Sequence, residues 1–536
     1  MGNMRESVVY SLDWFKEWME TTGEQEPDFS ALREYPRLPP LLEFYDGTKV
    51  DSLDDWQKRK KEIRKLLCRY FLGSFPERNP AIADARIINS CQSEKATHQV
   101  IDLTFRTENR AKITIELMMP TGKGPFPVLL TQSNHRSWGL QALSRGYLVC
   151  IYPAADVNDQ SGVFEEAYPE CDWALIPRRA WMASRVVDYL FTLDEVDRDR
   201  IAITGHSRNG KQSLIAAAFD ERITAVISSS SGAGGVCAYR YMSEDAYGES
   251  VEFMTRSFPE WFHPRLRFFT GREHLLPIDN HGLLGLIAPR YCLISSAYND
   301  DCESALAVEA SYMAAKSVYE FMNKEEALRI RWRPGEHDTN ATDIHSYIDW
   351  CDYAFGRGQY DFSTDAIVHF DWNDWQRNIP KQELKDAFTF SAKGNIHGEE
   401  KRRRILWFLG DAPPKGINSV KLVSGRKEKR DQYFIEPDEH RHRQSMQPDN
   451  VRRLPIRFSE NISGSVFYNA ALRKPTKAVI WLHPYSYAQG YTGYYLRGDR
   501  VYHYLAANGF LVMAFDQMGF EYRLLEGQDF YRRYPR

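Results

Sequence analysis

Ile201–Lys211 reads IAITGHSRNGK: a short apolar strand, a turn bounded by Gly205 and Gly210, and then the helical stretch Lys211–Phe219. A strand that enters a helix through a tight turn with a serine at its apex is a nucleophile elbow, which lifts the hydroxyl above a sheet at a helix N-terminus. The strict GxSxG form is not met, because Asn209 stands at the second glycine and Gly210 follows it. Outward from Ser207 the pattern repeats. Pro127–Thr131 (PVLLT), Tyr147–Tyr152 (YLVCIY), Ala225–Ser228 (AVIS) and Tyr291–Ser295 (YCLIS) are short and almost continuously apolar, with helical segments such as Ala180–Leu193 between most of them. Apolar strands alternating with helices predict a doubly wound, mostly parallel sheet with both faces covered. If the turn is that elbow, and not a phosphate-type or purely structural strand-to-helix turn, the expected fold is an α/β hydrolase.

Residues 98–119 differ: alternation in QVIDLTFR and KITIELMM predicts an antiparallel pair. Residues 1–80 read as helical, most clearly Asp54–Tyr70, where Trp56, Ile63, Leu66, Leu67 and Tyr70 form one stripe. Three units are expected: 1–360 as the hydrolase with its helical extension, 361–470 as a strand-rich linking region, and 471–536 as a partial second unit. The last echoes the first. Ala478–His483 (AVIWLH) resembles the first sheet's opening strand, and LAANGFLVMAFD ending at Asp516 parallels LSRGYLVCIYP ending at Pro153. This second region resembles the start of another α/β hydrolase, and truncation at 536 is the expectation it raises.

The chain has 536 residues, 43% hydrophobic and 26% charged, with formal net charge −4. That balance argues against a nucleic-acid partner, whose footprint is a basic excess. No apolar run approaches the roughly 20 residues of a membrane span. MGNMRESVVYSLDWF has no signal-peptide pattern, so the product is secreted or periplasmic if a signal was removed, otherwise cytoplasmic. All eight cysteines lie at or before Cys351, without CxxC or Cys/His ligand spacing, so neither metal nor cofactor is expected. The HRH at 440–442 lacks a third ligand nearby and reads as a solvated basic loop.

A serine hydroxyl needs a base. In this fold the base comes last, after the final core strand. Leu328–Trp332 (LRIRW) is such a strand, and the loop after it carries His337. The carboxylate that orients the imidazole is expected after YCLISSAYN, at Asp300 or Asp301, with Asp300 preferred. The oxyanion hole would draw on the backbone N–H of Arg208 and a donor from the Gln132–Arg136 loop.

At this point the sequence resembles the glucuronoyl esterases, carbohydrate esterase family 15. GHSRNGK is similar to that family's GCSRxGKG elbow. AWMASRVVDYL (180–190), SGAGG (231–235), FPEWFHPRLRFF (258–269), LPIDNHGLLGLIAPR (276–290) and RPGEHD (333–338) follow in the family's order, over roughly residues 35–357. The resemblance implies Ser207 as nucleophile, His337 as base, Arg208 as an oxyanion stabiliser and Lys211 as a contact for the sugar acid. Arg179, with Arg178 and Arg240, would add to a basic cleft. Three departures stand out: Ser230 replaces the family's triad Glu, Cys302 replaces a sugar-binding Trp, and His206 and Gln212 replace Cys and Gly around the elbow. The implied function is a serine carboxylesterase acting on polysaccharide- or oligosaccharide-linked uronic acid esters. The alternatives are an acetyl-polysaccharide esterase and a degenerate hydrolase that binds carbohydrate. Oligomeric state is not legible.

Overall fold

The computed structural model describes residues 12–93, 96–242, 249–365, 367, 398–399, 402–403, 420–422, 450–458, 462–472, 477–482, 501–515 and 517. Residues 371–375, which read DWNDW, the HRH at 440–442 and residues 518–536 lie outside these. No helix among the described residues is long and apolar enough to cross a membrane.

Nine strands form one sheet: β1 (Ile82–Gln92), β2 (Ala96–Phe105), β3 (Lys112–Pro120), β4 (Phe126–Gln132), β5 (Leu148–Tyr152), β6 (Val196–His206), β7 (Ala225–Ser229), β8 (Tyr291–Ala297) and β9 (Leu328–Arg333). Their order is β1-β2-β3-β5-β4-β6-β7-β8-β9. The pairs β1·β2, β2·β3 and β3·β5 are antiparallel, and every pair from β5·β4 to β8·β9 is parallel. The expected mostly parallel α/β-hydrolase sheet is what forms. β1 was not anticipated, because it is an exposed edge strand with Asp84 and Arg86 in its length and little apolar burial to betray it.

Parallel strands need crossovers, and helices supply most of them. After α1 (Asp13–Thr22) and α2 (Leu53–Leu67), the chain places α3 (Arg136–Ser144) between β4 and β5, α4 (Leu175–Leu190) between β5 and β6, and α5 (Arg208–Phe219) between β6 and β7. α6 (Ala305–Phe321) joins β8 to β9, and α7 (Ala341–Ala354) follows β9. Alternate strand residues feed two separate cores. Ile201, Ile203, Val226, Cys292 and Ile294 pack with α4, α5 and α6, whereas Ala202, Ala225, Ile227 and Leu293 pack with α3 and α7. Burial on both faces is why these strands read as continuous apolar runs.

The N-terminal extension is less helical than expected. Between α1 and α2, Pro27, Pro36, Pro39 and Pro40 hold the chain in turns and extended segments, with one short 3-10 turn at Phe29–Ala31. α2 is capped by Ser52, whose hydroxyl accepts from the Asp55 N–H. Its buried Trp56 and Ile63 face the short helix His281–Ile287, close to Gly285 and Gly282.

A second sheet holds β10 (Val420–Leu422), β11 (Val451–Phe458), β12 (Ile462–Asn469), β13 (Lys477–Leu482) and β14 (Phe510–Phe515), ordered β10-β11-β12-β14-β13. Three antiparallel pairs end in the parallel pair β13·β14, the order and sense of β1-β2-β3-β5-β4. The helix Val501–Ala507 stands where α3 stands in the first sheet. The repeat therefore extends back into antiparallel strands, and strands from both sides of residue 470 share one sheet. In the first sheet β4 continues to β6; β13 has no further strand among the described residues, and Ile480 and Leu482 on it are exposed.

Trp56 is fully buried between the extension and the hydrolase body. Trp56→Ala is expected to destabilise the protein by about 3–5 kcal/mol, read from chemical denaturation.

Candidate active site

Ser207 is the single residue between β6 and α5, and its backbone takes φ 56° and ψ −130°. A non-glycine residue reaches such a conformation only where neighbours over-determine it. Its N–H donates to Ser229 O at 2.9 Å, and its carbonyl accepts from Lys211 N–H at 3.0 Å. A Cβ on Gly205 would sit 2.3 Å from Asn209 O, and one on Gly210 would sit 3.0 Å from both Ser229 O and Ser231 Cβ. The turn thus needs a missing side chain two residues before Ser207 and three after it, which explains why Asn209 is tolerated. Its Nδ2 lies 3.2 Å from His135 Nε2, the atom that also accepts the His206 N–H at 3.2 Å. The loop after β4 is in this way tied to the elbow.

His337 comes from the loop after β9, and the residue that shapes that loop is Arg333. Its buried guanidinium donates to the carbonyls of Glu336 (2.9 Å), His337 (2.7 Å) and Asp338, and to Ser230 Oγ (2.7 Å). The carboxylate comes from the loop after β8, where Tyr298 N–H donates to Arg333 O and Asn299 N–H to Gly335 O, both at 3.1 Å. These bonds extend the β8·β9 pairing into the two loops. His337 Nδ1 lies 3.0 Å from each oxygen of the buried Asp300 carboxylate, and the Cys302 N–H holds Asp300 Oδ1 at 2.9 Å. Asp301 is exposed and meets the Cys302 thiol at 3.6 Å, not the imidazole.

Burial disfavours the imidazolium, but the hydrogen bond and charge of Asp300, with Cys302 beside it, outweigh this and push the His337 pKa up to about 11. Burial likewise works against the Asp300 carboxylate, and the His337 bond and charge hold its pKa below the usual value. Two neutral histidines line the elbow. Burial drives His206 well below its usual value and takes His135 down to about 3. The His337 and His206 rings are 4.6 Å apart, which sets the imidazole beside the elbow. The half-buried Ser207 hydroxyl has no hydrogen-bond partner among the described residues.

The cations fare differently from expectation. Arg208, partly exposed, pairs with Asp156 and lies 5.2 Å from the Trp261 ring. Lys211 is buried, its ammonium bonded to Ser231 O at 2.6 Å and Glu249 Oε2 at 2.7 Å, so the expected sugar-facing lysine is half of an internal ion pair. Arg179 is buried between Asp159 (2.9 Å) and Asp156 (3.0 Å), and Arg178 pairs with Glu165. Arg240 holds Asp279 and the carbonyls of Tyr35, Arg37 and Leu276, far from a cleft role. The basic cleft therefore reduces to Arg208, because folding a cation into low dielectric requires a carboxylate or carbonyl partner. Asp156, Glu249, Trp261 and Arg333 went unassigned in the sequence. Charge balance called for the two acids, and RPGEHD contained the arginine, but neither signal names a partner.

The family described as "Glucuronyl esterase, fungi" matches residues 104–323. The 4-O-methyl-glucuronoyl methylesterase of Phanerochaete carnosa is 31% identical over 306 residues, covering 53% of this chain and 72% of that protein. The chain belongs to the glucuronoyl esterase family. Carbohydrate esterase MZ0003, from an unknown prokaryotic organism, is 28% identical over 394 residues, 60% of this chain and 90% of that one. A carbohydrate esterase family 15 glucuronoyl esterase from Caldicellulosiruptor kristjansonii, of known structure, superposes with TM-score 0.52 at 27% identity, over 63% of this chain and 96% of that one. As a member of the glucuronoyl esterase family the protein is a carboxylic ester hydrolase.

Because its Cβ would fall on Asn209 O, Gly205→Ala must open the elbow. It is expected to cost at least about 2 kcal/mol in thermal or urea unfolding and to remove ester hydrolysis.

Proposed function

We propose that the protein hydrolyses uronic acid esters on polysaccharide or oligosaccharide chains, with Ser207 as nucleophile, His337 as general base and Asp300 as the carboxylate that orients it. The observation that carries this reading is the Asp300–His337 bond, 3.0 Å to both oxygens, on an imidazole packed against the residue before a strained serine. His337 Nε2 takes the Ser207 proton as Oγ attacks the ester carbonyl. Nδ1–H stays on Asp300, which fixes the tautomer and stabilises the imidazolium. The imidazolium then protonates the departing alcohol. Water, activated by the same base, releases the sugar acid from Ser207.

The oxyanion is met by the N–H of Arg208, in the first turn of α5 where backbone donors lack intrahelical acceptors, and by a donor from the turn after β4. The Arg208 guanidinium adds positive charge. An ester of a uronic acid gains negative charge in the transition state and yields a carboxylate, so a cation at the elbow favours both. The names of the relatives, a 4-O-methyl-glucuronoyl methylesterase and a carbohydrate esterase, fit the same substrate class.

Ser207→Ala is expected to lower kcat for methyl glucuronate at least about 10⁴-fold, and Asp300→Asn about 10⁴-fold, while Asp301→Asn leaves it essentially unchanged. Faster turnover of acetylated xylose than of methyl glucuronate or methyl galacturonate would replace this substrate class with the acetyl one. Hydrolysis that survives Ser207→Ala and His337→Ala would overturn the assignment of roles.

A general base works deprotonated, so kcat/KM falls as pH drops through the His337 pKa. Since Asp300 raises that pKa, the acidic limb of the profile is expected above the roughly 6.5 of a free imidazole. Asp300→Asn removes the charge and should move the limb to lower pH.

A further inference from the structure

Beside the Asp300–His337 pair lies a third donor that neither the fold nor hydrolysis requires. Cys302 follows Asp300 by two residues, at the position where the family pattern has tryptophan. One ligand atom each from Asp300, Cys302 and His337 lie within 4.8 Å of one another. We propose that these three side chains form a binding site for a soft divalent cation of the zinc class, and that its occupancy switches ester hydrolysis off. The second half rests on the reading of His337 as the base.

The donor set is one that zinc takes: thiolate, imidazole and carboxylate, three protein ligands with a fourth position left to water. Ligand distances of about 2.0–2.3 Å place tetrahedral donors roughly 3.3–3.8 Å apart. The imidazole Nδ1 and carboxylate oxygens are 3.0 Å apart and need to open by only a few tenths of an ångström. The thiol needs only to turn from Asp301 Oδ1, which it meets at 3.6 Å, toward the other two. The backbone is set for this. Cys302 N–H clamps Asp300, and the Asn299–Gly335 bond fixes the acid loop against the base loop.

Access and charge agree. His337 and Cys302 are partly exposed and Asp300 is buried, so a cation can enter while its ligands stay shielded. On binding, the imidazole shifts its proton from Nδ1 to Nε2, which frees Nδ1 for the cation, and the thiol releases its proton to solvent; the resulting thiolate and the carboxylate balance the two positive charges. With Nδ1 on the cation and the proton on Nε2, His337 cannot take the Ser207 proton. The ligands come from loops after neighbouring strands, β8 and β9, so no sequence spacing announces them, and the expectation of no metal site is what this proposal revises.

The test uses the full chain and cobalt(II) as a spectroscopic probe. A thiolate-to-cobalt charge-transfer band in the near ultraviolet is expected at one equivalent in the wild type. It should vanish in Cys302→Ala and persist in Cys171→Ala, which removes another partly exposed thiol. In parallel, zinc should reduce methyl glucuronate hydrolysis to below about one tenth, reversibly with a chelator. Cys302→Ala should need about 10–100-fold more zinc for the same loss, at least what the loss of an outer-shell partner costs a metal site. No band in the wild type, or one that survives Cys302→Ala, overturns the site. A Cys302-dependent band with undiminished hydrolysis overturns the switch. The band does not depend on hydrolysis, so a chain that binds cobalt but cleaves no uronate ester refutes the proposed function and leaves the site standing.

Discussion

Ser207 is held at φ 56°, a conformation that costs an L-residue of order 1–3 kcal/mol, and the rest of the site depends on that hold. β7 provides it. Ser229 O takes the Ser207 N–H, and the closeness of Gly205 to Asn209 and of Gly210 to Ser229 and Ser231 lets α5 start one residue after β6 ends. From this point the hydroxyl, the first-turn N–H groups and the His206 ring all take their positions. The two loops bearing Asp300 and His337 are aligned to the elbow only because β8 and β9 continue the same parallel sheet beyond β7.

Electrostatics accounts for what surrounds the elbow. Arg208 and Arg179 share Asp156, Lys211 pairs with Glu249, and the two terminal nitrogens of Arg333 are held by three loop carbonyls and Ser230. Buried cations without such partners would carry several kcal/mol of desolvation each. The basic sequence around the elbow is therefore locally neutralised, and Arg208 alone keeps partial exposure. Glu303 is a related case. Its buried carboxyl accepts the Gly232 N–H at 2.9 Å, and burial, with the charge of Asp300 added, raises its pKa to about 7. It fastens the SGAGG turn behind the triad candidates.

The second sheet repeats the first five strands of the first in order and sense, with a much smaller core of Val451, Phe467, Tyr502, Ala506, Val512 and Ala514. Five strands bury fewer side chains than nine, and β13 lacks, among the described residues, the neighbour that β6 gives to β4. The phrase shared by LSRGYLVCIYP and LAANGFLVMAFD marks the same piece of architecture in both, a helix end followed by a strand.

Much of this was legible in the chain alone: the sheet of buried strands and the elbow at Ser207 could be read from it, because hydrophobic period and small residues at a tight turn are local properties. Edge strand β1 escaped it, since an exposed edge carries no burial pattern. Which of Asp300 and Asp301 meets His337 was fixed by folding: adjacent residues look alike in sequence, and the contact rests on which carboxylate the loop turns inward. The tertiary structure also decided that Lys211 and Arg240 face internal acids and that Arg333 shapes the His337 loop. Apart from the loop carbonyls three to five residues beyond Arg333, those outcomes depend on partners 37 to 205 positions away, and a buried charge takes its meaning from the group folded against it.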